Sequence, residues 1–365
     1  MLKGPLYISI FTSFWFGILS LPFTGILKAL FISGSIFILL LLWHFLKSAF
    51  SLKPSIGLRI SIPFKPSTIT FSAIGLIIFL PFIVSSYIID TLVLAGIYII
   101  LSLGLNIMIG YTGLLNLGYA AFYAIGAYTY AIFNTKLHLG FWEALPISMF
   151  LSGLAGFLLG IPALRLRGDY LAIVTLGFGE ITRIVLNNWI SLTKGPNGIT
   201  GIERPSLAGY EFSGVIEYYY TVLIFVILTI FFIKRLIKSK AGRAWMSIRE
   251  DEVAATAMGI NTFLYKLYAF SFGALWAGLA GQLFAAKMRF VSPESFTFFE
   301  SVMIVAMVIL GGQGTIAGPV IGSIILVLLP EVLREFQQYR MIFLGAGLIF
   351  MMIFRPQGIV GKRIS

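Results

Sequence analysis

The chain has 365 residues, of which 59% are hydrophobic and 11% charged, with a net charge of +12 and no cysteine. Stretches such as ILKALFISGSIFILLLLWHFL and TVLIFVILTIFFI approach the roughly 20 apolar residues needed to cross a ~30 Å hydrocarbon core, so a soluble domain is excluded. Disulfides, thiolate ligands and cysteine nucleophiles are excluded too, and the basic residues fall in short loops between apolar runs rather than on one soluble face, which argues against nucleic acid.

Backbone groups in lipid must be satisfied internally, and the apolar runs are long rather than short and alternating, so the expected fold class is an all-α polytopic membrane protein. The first residues, MLKGPLYISIFTSFWFGILSLPFTG, open like a signal peptide, with Lys3 before an apolar run. A small-x-small cleavage site is missing and a second apolar run follows, so a retained first span is expected. Candidate spans lie near 6–22, 26–46, 71–87, 91–109, 113–134, 144–164, 170–189, 218–237, 263–285, 300–311, 317–333 and 341–354. The stretch 300–311 is too short to cross unaided, and 105–126 is broken by Gly104, Gly110, Gly113 and Gly118. About ten crossings are therefore expected, in a range of nine to twelve with broken or re-entrant segments. Residues 1–66 form an N-terminal extension of two spans and a basic loop, and residues 67–365 the main transmembrane domain.

Alternating the spans gathers Lys47, Lys53, Arg59, Lys65, Arg165, Arg167, the run Lys234 to Arg249, Arg355, Lys362 and Arg363 on one side. The positive-inside rule makes that side cytoplasmic, with both termini inside. Asp90, Glu143, Glu203, Glu211, Glu217, Glu294 and Glu335 collect opposite. GLAGFL at 153–158 returns as GLAGQL at 278–283, and LGFG at 176–179 has a looser echo in LGGQG at 310–314, on spans that run in opposite directions. An inverted repeat of the transporter kind would give this pattern, and so would chance recurrence of small residues.

SIREDEVAATAMGIN, residues 247–261, puts four consecutive charges into this apolar chain. Ser247 followed by Glu250 fits a capping box and Gly259 a helix end, which predicts one cytoplasmic helix over 248–258, roughly 16 Å long. Val253, Ala254, Ala257 and Met258 share a face. Lipid-surface helices carry Lys and Arg on the polar face, whereas this one is acidic beyond Arg249, so a docking surface for a cytoplasmic protein is the favoured reading over a helix in the headgroup layer.

Polar groups within the apolar runs come next. Glu180 and Arg183, at i and i+3, are placed to pair, either lining a passage or locking a span to its neighbour. Asn106, Asn116, Asn187 and Asn188 offer donors and acceptors to a zwitterionic solute beside glycine breaks, or serve as interhelical glue. Gly273, Ala277 and Gly281 form a small-xxx-small ridge with Ala274 and Gly278 beside it, and Gly318 with Gly322 forms another. His44 and His138 fall on opposite sides, which leaves no two-His metal site. The loop 190–217 is the longest external segment, with Asn197, Glu203, Glu211 and Glu217 available to an external partner or simply solvated.

AAxxxG at Ala254, Ala255 and Gly259 resembles the EAA-type loop of ABC importer permeases, although Val253 stands at the Glu position and Glu252 precedes it. Stronger are NIMIGYTGLLNLGYAAFYAIGAY at 106–128, LRLRGDYLAIVTLGFGEITRIVLNN at 164–188, GPNGITGI at 195–202, VILGGQGTIAGPVIG at 308–322 and FRPQGIVG at 354–361. Together these resemble the LivM-type permease family of the high-affinity branched-chain amino acid ABC transporters over residues 90–361. The resemblance implies an importer in a prokaryotic inner membrane, built from this permease, a second LivH-like permease, two cytoplasmic ATPases of the LivG and LivF type and an external binding protein. It also implies that Arg249, Glu250, Asp251, Glu252, Ala254, Ala255 and Gly259 couple to the ATPases, and that Asn197, Glu203, Glu211 and Glu217 belong to a docking loop for the binding protein. Asn106, Asn116, Glu180, Arg183, Asn187 and Asn188 are then candidates for the translocation path. The chain contains no GxxxxGK[ST] phosphate loop, so ATP and Mg belong to the partner ATPases, and no catalytic, cofactor or metal residue is expected here. GQGTIA at 312–317 matches a loose dinucleotide pattern but lies between spans. A permease of the same build for urea, amides or other amino acids, and an ion-coupled secondary transporter, are the alternatives; the second leaves the charged cytoplasmic helix without a task.

Overall fold

A computed structural model of the chain describes residues 84–332, apart from Arg167, Ala208, Gly209 and Ser213, together with residues 81, 345, 346, 349 and 357–360. The expected spans near 6–22 and 26–46, most of 71–87 and of 341–354, the extension 1–66 with His44 and its basic loop, and Glu335, Arg355, Lys362 and Arg363 lie outside the described residues.

Helix α1, Ser86–Asn106, is an almost uninterrupted apolar run with no acid or base in its terminal turns. It continues into one wide π-type turn, Ile107–Tyr111, and stops at Thr112. Gly113, at φ 72°, turns the chain away, and α2 begins only at Tyr119, ending at Leu137. The expected break therefore sits at 112–118, and the span expected from 113 starts at 119. Next come α3, Phe141–Ala163, and α4, Asp169–Asn188, followed by one short turn of helix, α5, Ile190–Thr193.

The segment 190–217 is more ordered than a bare loop. Ribbon β1, Ile199–Thr200, pairs antiparallel with β4, Phe290–Val291, and β2, Ser206–Leu207, pairs with β3, Tyr210–Glu211. Helix α6 spans Val215–Ile237, α7 Lys240–Glu250, α8 Glu252–Ala257, α9 Thr262–Met288, α10 Phe298–Gly311 and α11 Ala317–Val332. Five helical stretches among the described residues are long and apolar enough to cross a membrane: Ser86–Tyr111, Phe141–Ala163, Val215–Ile237, Thr262–Met288 and Pro293–Gly311. The last reaches that length only with the tight turn Pro293–Phe296, since α10 itself has 14 residues.

Helix α9 is the axis of the bundle, and its glycines explain why. A Cβ on Gly273 would fall 2.9 Å from the Gly104 carbonyl of α1, one on Gly281 would fall 2.2 Å from the Tyr123 carbonyl of α2, and one on Gly278 would fall 2.6 Å from the Ser148 carbonyl of α3. Three neighbours thus meet α9 backbone to backbone, which is what small residues permit in a bilayer, where no hydrophobic force drives helices together. The second ridge also acts within the chain: Gly318 and Gly322 bring α11 against Gly311 and Met307 of α10. GLAGFL and GLAGQL lie on α3 and α9, which pack antiparallel, Gly156 facing Ala274 and Gly160 facing Leu267. The looser echo fails as structure, because LGFG is interior to α4 whereas LGGQG ends α10 at Gly312, φ 120°.

Ion pairs stake α9 at both ends. Lys266 Nζ lies 2.6 Å from Glu252 Oε1, and Lys287 Nζ lies 2.9 Å from Asp90 Oδ2. At 1.5 Å per residue these lysines are about 32 Å apart along the helix, close to the thickness of a hydrocarbon core.

Candidate functional site

The charged stretch is built from two helices rather than one. Ser239 accepts from Gly242 N and starts α7, which buries Ala244, Trp245 and Ile248 and donates from Trp245 Nε1 to the Tyr265 carbonyl at 2.7 Å. That buried face carries the helix straight through Ser247, whose hydroxyl bonds back to Arg243, so the expected capping box at Ser247 and Glu250 does not form. The chain breaks at Asp251, whose Oδ1 accepts from Val253 N at 2.8 Å and Ala254 N at 3.0 Å and caps α8. The end at Gly259 is as expected, with φ 82°.

The seven expected coupling residues divide by direction. Glu250, Ala254 and Gly259 are exposed, Ala255 is buried, and Asp251 is spent on the cap. Glu252 turns inward to Lys266, whose side chain is only 9% exposed. Arg249 is itself exposed, but its guanidinium reaches back to donate to the Gly110 carbonyl at the broken end of α1. Outward, α8 and the residue that caps its end present two large apolar side chains, Val253 75% and Met258 82% exposed, with Ala254, Thr256 and Ala257 exposed beside them.

The break in α1 is tied to the turn between α10 and α11. Asn106, fully buried, accepts from Gly314 N at 3.0 Å and donates to the Thr315 carbonyl at 2.8 Å. Asn116 is equally buried, accepting from Gly118 N at 2.9 Å and donating to Met108 Sδ at 3.3 Å. Both amides are engaged with their own chain.

Near the opposite end of the bundle, Arg183 Nη2 lies 3.0 Å from Glu180 Oε2, forming the expected pair on α4, and Arg183 Nη1 reaches Glu294 Oε1 at 3.3 Å. Glu180 and Arg183 are 33% and 28% exposed, on a helix that buries only Leu171, Ala172 and Thr175 and leaves Ile173, Ile181, Ile184 and Val185 open. Asn187 is half-buried, while Asn188 is exposed and bonds back to Ile184. In the 190–217 segment Asn197 and Glu211 are exposed, Glu203 accepts from Asn134 at 3.2 Å, and Glu217 accepts from Tyr210 at 2.6 Å and from Gly214 N at 3.1 Å. That bond to a carboxylate raises the Tyr210 phenol above its ordinary value. Asp90, Arg204, Tyr218, Met288 and Lys287 line a cavity of about 260 Å³ nearby.

Sequence reasoning missed Lys266 and the 2.8 Å bond from Tyr98 to Glu300. A lone charge near the start of an apolar helix, Lys266 as the fifth residue of α9 and Glu300 in the first turn of α10, was the available signal.

Antiparallel apolar helices packed on a glycine-lined axis, five of them long enough to cross a bilayer, define a helical membrane protein. The family described as branched-chain amino acid transport system permease component matches residues 87–352. The chain is 49% identical over 303 residues to the high-affinity branched-chain amino acid transport system permease protein LivM of Escherichia coli strain K12, covering 77% of this chain and 71% of that one. It is 48% identical over the same extent to LivM of Salmonella typhimurium, and 25% identical over 290 residues to the permease protein LivH of the same organism, covering 74% of this chain and 92% of that one. No solved structure matches. The chain belongs to the family of branched-chain amino acid transport system permease components.

Proposed function

We propose that the chain is the LivM-type half of a permease pair that carries leucine, isoleucine and valine across a prokaryotic inner membrane, with ATP hydrolysed by two cytoplasmic partner subunits and the amino acid delivered by an external binding protein. The observation that carries the reading is α8, a six-residue helix outside the candidate spans that presents Val253 and Met258 to the surroundings while Glu252 is tied to α9. Apolar side chains held out on a staked helix are what a partner protein buries. In this reading Glu250, Ala254 and Gly259 join Val253 and Met258 at the ATPase contact.

With α8 at the cytoplasmic face, the reading keeps both termini inside and about ten crossings in all, the five candidate spans, α2 and α4 among them. Helix α4, with its open flank and the Glu180–Arg183 pair, then borders the second permease, and Asn187 and Asn188 lie near the external mouth. Asn197, Glu203, Glu211 and Glu217 lie where the binding protein rests. Asn106 and Asn116, spent on backbone and sulfur, shape the path from behind.

The test is co-purification and ligand-stimulated ATP hydrolysis of the reconstituted importer carrying Val253→Glu and Met258→Glu together. Loss of the ATPases with the permease pair intact is expected; unchanged retention and stimulation would remove the reading. Leucine uptake competed by isoleucine and valine but not by urea is expected of the wild type, and the reverse pattern would assign the urea and amide alternative.

A further inference from the structure

The last carbonyls of any helix lack intrahelical donors and must find them elsewhere. At the end of α1, Leu114 N donates to the Met108 carbonyl at 2.9 Å and Gly113 N to the Ile109 carbonyl at 3.2 Å, so the chain closes those positions by itself. The Gly110 carbonyl is met instead from 139 residues away, by the Arg249 guanidinium in the final turn of α7. A cation at a helix C-terminus is favoured by the helix dipole as well as by the hydrogen bond. Two residues beyond Arg249 stands Asp251, the cap that starts α8.

Two glycines make room for this contact. A Cβ on Gly314 would fall 2.5 Å from Arg249 Nη1, and a Cβ on Gly113 would fall 3.5 Å from Arg249 Cγ. Gly314 N is in turn held by Asn106 at 3.0 Å. Three elements therefore converge on one guanidinium: the π-type end of α1, the turn between α10 and α11, and the helix that leads into α8. Single π-type turns are found frequently at functional sites, and here one lies at the contact with Arg249.

We infer that Arg249 is a positioning residue that couples displacement of α8 to the broken end of α1, by capping α1 from another helix at the Gly110 carbonyl. This rests on the reading that α8 seats in an ATPase. A pull on α8 draws the end of α7 with it, takes the donor from Gly110 and frees both the last turn of α1 and the 312–316 turn to rearrange. Coupling of this kind requires an element that can take two arrangements, and the inference assigns that part to the π-type turn at Ile107–Tyr111.

The test uses the complete importer in liposomes with binding protein and leucine, measuring ATPase retention, basal hydrolysis, and leucine taken up per ATP hydrolysed. Arg249→Ala is expected to retain the ATPases and basal hydrolysis while uptake per ATP falls by about tenfold or more, the scale of one hydrogen bond to a charged group. Arg249→Lys, which keeps a cationic donor without the fork, should restore part of the ratio, and Gly314→Ala should copy Arg249→Ala by filling the guanidinium's space. Where the alanine variant is not recovered, Arg249→Gln against Arg249→Lys makes the same comparison. An unchanged uptake-to-ATP ratio in Arg249→Ala would overturn the inference. Loss of ATPase retention in that variant would overturn it also, by making Arg249 part of the seat, whereas retention by the Val253→Glu, Met258→Glu protein would instead sink the reading of α8 on which the inference stands.

Discussion

Gly281→Ala adds one methyl group where α9 has no space. The new Cβ would lie 2.2 Å from the Tyr123 carbonyl oxygen and 2.6 Å from Ala127 N, both backbone atoms of α2. Ordinary contact needs about 3.5 Å, so the two helices must part by about 1 Å, and no side-chain rotation relieves it. Overpacking of this kind costs about 1–3 kcal/mol, offset by up to ~1 kcal/mol from replacing a helical glycine with alanine. A net loss of about 1–2 kcal/mol is expected, read as a lower unfolding midpoint of the detergent-solubilised chain. Gly177→Ala is the matched control, because a Cβ there meets nothing within 4 Å. It should be neutral or stabilising by up to ~1 kcal/mol. Equal midpoints for Gly281→Ala and wild type, or equal losses for both variants, would refute the claim that backbone contact along α9 holds the fold.

Larger residues at Gly278 should lower expression before they alter the ratio of leucine to valine uptake, since the wall there is the Ser148 carbonyl at 2.6 Å. Asp251→Ala removes the two bonds that cap α8 and should cost about 1 kcal/mol locally, seen as roughly fivefold faster hydrogen exchange at Val253 and Ala254. Glu252→Gln leaves the ammonium of Lys266 against a neutral partner; the double variant with Lys266→Met should be the more stable of the two, and the opposite order would show that the pair does not hold α8. Glu180→Gln leaves Arg183 its second partner Glu294, so stability should fall by less than about 1 kcal/mol. A large transport defect would then place Glu180 in the path, and unchanged transport with unchanged assembly would remove it from both path and packing.

Helix-scale hydropathy made most of the described bundle legible. The runs near 91–109, 144–164, 218–237 and 263–285 became α1, α3, α6 and α9, and the glycines of 105–126 marked a true interruption. The capping of the charged stretch was misread because two starts compete within five residues. Ser247 and Asp251 are both good caps, and only the burial of Trp245 and Ile248 against the bundle keeps Ser247 inside a helix. Of the candidate site, the Glu180–Arg183 pair was readable because i,i+3 spacing is local. Partners of Asn106 and Arg249 were not, since they lie 208 or 209 and 139 residues away and depend on how three separate turns meet.

The glycine contacts of α9 also limit how this chain can work as a machine. Helices that touch through their backbones have no side-chain cushion to compress, so α2, α3, α9 and the part of α1 that precedes its π-type end should move as a single stiff block. Alternating exposure of a solute to the two sides of the membrane must then come from tilting that block as a whole, or from the less enclosed α4 and the short α10–α11 pair swinging against it.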